Sequence, residues 1–265
     1  MQGSGNDFIV IDHRQLFVAE TDRITLVKKL CHPKFGVGAD GFIFIESSDQ
    51  VDFRWRFFNA DGSEAEMCGN GGRCAARFAF LNGIAPEKMA FETLAGVIHA
   101  EVEGRRVKLE LIPPGEVQLD LTIPLPQGSW TGHFANTGVP HVVLPVADLA
   151  TAPVADVGRA IRFHPLFQPA GTNVNFIQVT GPQELQVRTY ERGVEAETLA
   201  CGTGSVAAAL IASRLHALNS PVSVQPRSGE TLKVYFENQN GNFQSVFLEG
   251  EAAVVFQGEV WLDEL

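Results

Sequence analysis

The chain has 265 residues, 45% of them hydrophobic, and a formal net charge of −11 at pH 7. That is apolar material for one large core or two modest ones, and an acidic chain without a basic block argues against a nucleic-acid partner tracked through its phosphates. The apolar stretch FIVI near the N-terminus is too short for a signal-peptide core, and no run approaches the roughly 18 residues of a membrane span. A cytoplasmic protein without a membrane partner is the expectation.

In chain order, GSGNDFIVI reads as a glycine turn feeding a strand, followed by a helix around residues 21 to 31. GVGADGFIFIE carries Gly36, Gly38 and Gly41 in the GxGxxG pattern, but a strand follows the glycines where a dinucleotide fingerprint needs a helix. FRWRFF is the next strand. EMCGNGGRC, residues 66 to 74, then leads into an alanine-rich run that predicts a helix over 70 to 82, stopped by Asn82-Gly83. RVKLEL and VQLDLTI are strands. The prolines of IPP (112 to 114) and IPLP (123 to 126) mark a boundary between two domains. These are expected to be residues 1 to 115 with about 252 to 265 returning, and residues 116 to 251. A short helix is expected around 155 to 161, strands in ELQVRTY and TLKVYFE, and a helix over 203 to 218. In VAAALIASRLHAL apolar residues cover nearly the whole circumference, which describes a helix enclosed by protein on most sides.

The four cysteines, Cys31, Cys68, Cys74 and Cys201, form no Cys-x-x-Cys pair and are too sparse for a disulfide scaffold or a structural zinc site. Two of them belong to a repeat. FFNADGSEAEMCGNGGRCAARF resembles TYERGVEAETLACGTGSVAAAL, and Cys68 and Cys201 are 133 residues apart. The same spacing relates Gly5 to Gly138 and Gly38 to Gly171. Three motif pairs at one offset argue for two copies of one fold. The fold class expected is therefore α/β (α+β), with two similar domains related by a pseudo-two-fold axis, each a strand-rich, barrel-like shell around a buried helix, and a cleft between them.

Each of these thiols falls at a predicted helix N-terminus, where unpaired N–H groups and the positive end of the helix dipole favour the thiolate. If the copies face each other, Cys68 and Cys201 approach one cleft from opposite sides. Two thiols on opposite faces of one carbon are what racemisation needs, because one removes a proton and the other returns one. The N–H groups of Gly69, Asn70, Gly202 and Thr203 can then hold a carboxylate and the negative charge that spreads onto it.

Taken in order, GSGNDF, GVGADG, FNADGSEAEMCGNGGRC, PH, GTNVNF and YERGVEAETLACGTG resemble the diaminopimelate epimerase family over essentially the whole chain. The resemblance implies an isomerase that interconverts LL- and meso-2,6-diaminopimelate for lysine and peptidoglycan-precursor biosynthesis. It implies two α/β domains closing over a cleft, with no metal and no pyridoxal phosphate or other cofactor. By resemblance, Cys68 and Cys201 are the acid–base pair, and Gly69, Asn70, Gly202 and Thr203 cradle the α-carboxylate. Asn6, Asn59, Asn173 and Arg192 match residues holding the distal end of the substrate, and Glu191 the one beside the reactive amino group. His141 and Glu191 are expected to assist the thiols as proton acceptors. The partner implied is the small-molecule substrate, with a homodimer left open. The chain departs from the family at Val139, where many members carry asparagine, and at Gly41, where many carry glutamine; Asn136 is the nearby candidate to replace the first contact.

Plainer readings stand beside these. Cys31 and Cys74 read as packing thiols. His141 fits a core histidine after a proline turn, Glu191-Arg192 a surface ion pair, and each asparagine a turn residue. A proline or hydroxyproline racemase shares the cysteine pair, but such proteins tend to carry histidine where Asn70 stands and Ser-Pro where Leu199-Ala200 stand. A thiol redox or binding protein would leave the Glu191-Arg192 pair upstream of Cys201 without a reason.

Overall fold

The computed structural model describes residues 1–115, 117–239 and 241–261. Its chain divides into two compact units, Met1–Glu110 with Gly250–Leu265, and Leu111–Glu249. In the first, seven strands are hydrogen-bonded in chain order: β1 (Gln2–Gly3), β2 (Asn6–Asp12), β3 (Gly41–Glu46), β4 (Phe53–Asn59), β5 (Lys88–Thr93), β6 (Gly96–Glu103) and β7 (Arg106–Glu110). Aromatic and β-branched residues fill β3 and β4 because they pack well on a pleated surface. The pairs β2–β3 and β4–β5 are parallel, so each needs a crossover. Helices α1 (Glu20–Cys31) and α2 (Gly69–Leu81) supply them.

Helix α2 packs against β1, β2, β3, β6 and β7. Small side chains let the strands close tightly on this helix, and Cys74, Ala75, Ala76 and Ala79 are fully buried among Ile43, Phe91 and Leu109. The segment after residue 250 is stitched to the same unit: Gln2 and Ala253 exchange two backbone hydrogen bonds, and Ala252 N–H donates to the Arg105 carbonyl.

The second unit repeats this plan with β8 (Gln118–Leu125), β9 (Gly128–Asn136), β10 (Pro140–Pro145), β11 (Asn173–Gly181), β12 (Glu184–Glu191), β13 (Ala196–Thr198), β14 (Val222–Gln225), β15 (Leu232–Gln239) and β16 (Asn242–Glu251). Its strands run in the order β16-β15-β14-β12-β11-β10-β9-β8, with β13 paired to β12. The parallel pairs β10–β11 and β12–β14 are crossed by α3 (Val154–Arg162) and α4 (Gly202–His216). Helix α4 touches β9, β10, β11, β12, β14 and β15, and every residue from Gly204 to Ser213 is buried. Each unit is thus a strand-rich shell around one buried helix, the mixed α/β architecture expected. Gly5 and Gly138, like Gly38 and Gly171, share a positive φ (91° and 100°, 79° and 67°), so the repeated turns are the same turns.

Three boundaries stand apart from the sequence reading. The units divide at 110/111 and 249/250, because the Leu111 N–H already donates to the Val246 carbonyl on β16. Helix α4 stops at His216, two residues short of the expected end, since Ala217 takes a left-handed conformation at φ 53°. Among the described residues no helix is long and apolar enough to cross a membrane.

Candidate active site

Cys68 and Cys201 are the N-cap residues of α2 and α4, both extended, at φ −143° and −122°. The first intrahelical bonds run from Gly72 N–H to the Cys68 carbonyl (2.8 Å) and from Ser205 N–H to the Cys201 carbonyl (2.9 Å). The N–H groups of Gly69, Asn70 and Gly71, and of Gly202, Thr203 and Gly204, therefore precede the helical ladder and face the helix ends. With the positive end of the dipole, each start suits an anion beside its thiol. Cys201 is buried, with its Sγ 3.6 Å from Thr203 Oγ1; Cys68 is half-buried. Gly204 has to be glycine, since a Cβ there would lie 2.4 Å from Asn175 Oδ1 and 3.2 Å from Cys201 Sγ.

A clamp precedes each thiol. In the second unit Arg188 on β12 forks onto Glu197 (2.7 and 2.8 Å) and donates to the carbonyls of Leu149 and Ala150. In the first, Arg56 on β4 forks onto Glu64, with Nη2 to Oε2 at 3.0 Å, and reaches Glu20 at 2.9 Å. Glu64 and Glu197 are themselves 133 residues apart, and each stands four residues before its cysteine. The sequence reading missed these pairs, although Glu-x-x-x-Cys occurs in both copies and was there to be seen.

In the first unit Asn6, at the start of β2, and Asn59, at the end of β4, lie at the same end of the sheet. Asn70 donates to Asn6 Oδ1 (2.6 Å), Asn6 donates to Asp40 Oδ2 (2.9 Å), and the buried Arg73 donates to Asn70 Oδ1 (2.9 Å) and Ser4 Oγ (2.6 Å). Asn6 and Asn70 thus brace one another and steady the start of α2. Asn59 is separate from this chain: its amide donates to Ser63 Oγ at 3.0 Å, in a turn that Asp61 also holds.

In the second unit His141, Asn173 and Glu191 occupy the matching end, at the starts of β10 and β11 and the end of β12. Asn173 Oδ1 accepts from the Arg192 backbone N–H (2.8 Å) and its Nδ2 donates to the Pro140 carbonyl (3.1 Å), so this amide holds the turn that carries Arg192. One Arg192 Nη1–H is donated to the Ala170 carbonyl at 2.9 Å, which orients the guanidinium and leaves most of its five donors for other acceptors. Burial pushes the Glu191 carboxyl above its ordinary value, opposed by the Thr198 hydroxyl. Asn136, the substitute considered for Val139, accepts from the Gly138 N–H at 3.1 Å within its own turn.

His141 stands at the start of β10. It is fully buried, and burial with the positive Arg192 pushes its pKa down to about 3. An imidazole so hard to protonate is a poor proton acceptor. Among the described residues no group of three or more His, Cys, Asp or Glu is arranged to hold a metal ion. The GxGxxG glycines follow α1 and lead into β3, the reverse of a dinucleotide site.

A family model described as diaminopimelate epimerase matches residues 1–118 and 133–255. A diaminopimelate epimerase of Aquifex aeolicus (strain VF5) is 50% identical over 98% of this chain and 96% of its own length. That of Chlorobaculum tepidum (strain ATCC 49652 / DSM 12025 / NBRC 103806 / TLS) is 46% identical over 99% and 100%. Among solved structures, the Bacillus anthracis phenazine biosynthesis protein of the PhzF family superposes with a TM-score of 0.75 at 17% identity, covering 99% of this chain and 95% of that one, a likeness of fold.

Proposed function

This chain belongs to the diaminopimelate epimerase family, and from that premise we propose that it interconverts LL- and meso-2,6-diaminopimelate with Cys68 and Cys201 as its two acid–base groups. The observation that carries the assignment of the thiols is their equivalence: two cysteines, 133 residues apart, each N-capping a buried helix that opens on glycine.

The reaction inverts one α-carbon. One cysteine, as thiolate, takes the α-proton and becomes a thiol; the electron pair left behind delocalises into the α-carboxylate. The other cysteine, as thiol, protonates the carbon from the opposite face and becomes a thiolate. The amino acid leaves with its atoms unchanged and one centre inverted, and the two sulfurs have exchanged protonation states. Such general acid–base steps contribute about 10²- to 10⁴-fold each. The harder problem is the charge on the carboxylate, and N–H groups of Gly69, Asn70, Gly202 and Thr203, already fixed by the helix starts, offer donors that need no reorganisation. Arg192 is assigned to the distal carboxylate, and Asn6, Asn59 and Asn173 to the same distal end of the substrate. Glu191 is assigned to the amino group at the reacting carbon.

Replacing either cysteine tests the assignment. Cys68→Ala and Cys201→Ala should each abolish epimerisation while the circular dichroism and Tm stay near those of the parent, because neither thiol can reach the face served by the other. Turnover of LL-diaminopimelate by either variant at near the parent rate would refute the two-thiol assignment.

A further inference from the structure

Asn175 and Thr189 have no part in the reaction described above, yet both are buried beside it. Asn175, on β11, donates from Nδ2 to the Val142 carbonyl (3.0 Å), and the same nitrogen lies 3.1 Å from His141 Nδ1. Its Oδ1 accepts from Thr189 Oγ1 on β12 at 2.9 Å. These contacts fix which way the amide points, because a backbone carbonyl only accepts and the group facing it must be the NH₂. The second hydrogen of that NH₂ is then aimed at His141 Nδ1, which has to be the unprotonated ring nitrogen. The ring proton is left on Nε2. That atom is buried, with no hydrogen-bond partner among the described residues.

A buried donor without an acceptor is costly, and one that persists calls for an explanation such as a ligand or a catalytic role. We propose that Asn175, held in turn by Thr189, is a positioning residue that fixes His141 in the Nε2–H tautomer and so presents the substrate carboxylate with a neutral hydrogen-bond donor. The depressed pKa of His141 fits this, since a ring that stays neutral keeps Nδ1 unprotonated and able to accept from Asn175. The tautomer follows from the contacts alone; its use by substrate rests on the function proposed above.

The test is ¹⁵N NMR of histidine-labelled protein at pH 7, with His141 assigned by its loss in His141→Gln. The parent should show one neutral ring with Nδ1 as acceptor and Nε2 protonated, and its Nε2–H proton should move downfield on saturation with diaminopimelate. Thr189→Val should mix the two tautomers and lower kcat about tenfold with KM little changed, and Thr189→Ser should restore both. Asn175→Asp, which turns the donor into an acceptor, should move the proton to Nδ1. A parent ring protonated at Nδ1, or a Thr189→Val variant whose tautomer stays pure, overturns the positioning role. A clean Nε2–H signal that does not respond to diaminopimelate, in an enzyme that still needs both cysteines, overturns only the donor role and leaves the proposed epimerisation standing.

Discussion

Arg192 and His141 show how burial and hydrogen bonding decide what a residue can do after the sequence has put it in place. Arg192 is the cation adjacent to the second cysteine motif, and its backbone and one Nη1–H are already held by Asn173 and Ala170. Lysine keeps the charge but loses the planar fork that suits a carboxylate. Arg192→Lys should therefore lower kcat/KM for diaminopimelate by at least about tenfold, roughly 1.4 kcal/mol; steady-state kinetics showing no change would remove Arg192 from the distal carboxylate. For His141 the folded pKa of about 3 lies below the unfolded value of about 6.5. The unfolded chain thus binds the extra proton between these values, and the histidine's contribution to stability is complete above pH 6.5 and is lost as the pH falls toward 3. At pH 5 the loss relative to pH 8 amounts to about 2 kcal/mol. Urea unfolding at the two pH values should show a larger drop for the parent than for His141→Gln, and equal drops would contradict the burial argument. The same logic separates the cysteines: burial pushes Cys31 and Cys74 up to about 12, which makes them inert packing thiols as their positions suggested. Sequence reasoning could name His141, Asn6 and Asn173, because short motifs mark them. It could not tell a brace from a ligand, because that depends on which backbone groups the fold brings within 3 Å.

At the scale of elements, the two cysteine helices were legible because glycine starts, alanine-rich bodies and all-round apolarity leave few alternatives. β13 was not, since a three-residue strand has no periodicity to read. It matters because the β12–β13 hairpin, pinned by Arg188 and Glu197, leads directly into Cys201. Both partners are largely shielded from water, and the fork holds the Glu197 carboxyl below its ordinary range, so the pair is stronger than a surface ion pair. Among the described residues, Arg188→Leu would leave the Glu197 carboxylate with only the longer ion pair to Arg227, at 3.4 Å. This variant should lose kcat through a loosened start of α4 while KM for diaminopimelate changes less. The matching change Arg56→Leu should act in the same way through α2. If both variants kept full kcat, the clamps would be structural only.

At the scale of the molecule, duplication explains why so much could be read in advance. An offset of 133 residues, 132 for the clamp arginines, reproduces turns, a parallel strand pair, a clamp and a thiol, so each copy checked the reading of the other. The exact division of the chain was less legible, because the prolines that drew attention lie a few residues beyond Leu111, whose backbone is already committed to β16. The central claim is that equivalent thiols perform complementary halves of one reaction, and its most direct test follows hydrogen at the α-carbon. LL-diaminopimelate is mixed with excess enzyme in deuterated water and quenched within a single turnover. Two thiols predict that the meso product carries deuterium at the inverted centre from the first measurable point while the remaining LL substrate keeps its protium. Product that retains the original protium, as a single base carrying one proton from face to face would give, contradicts the account.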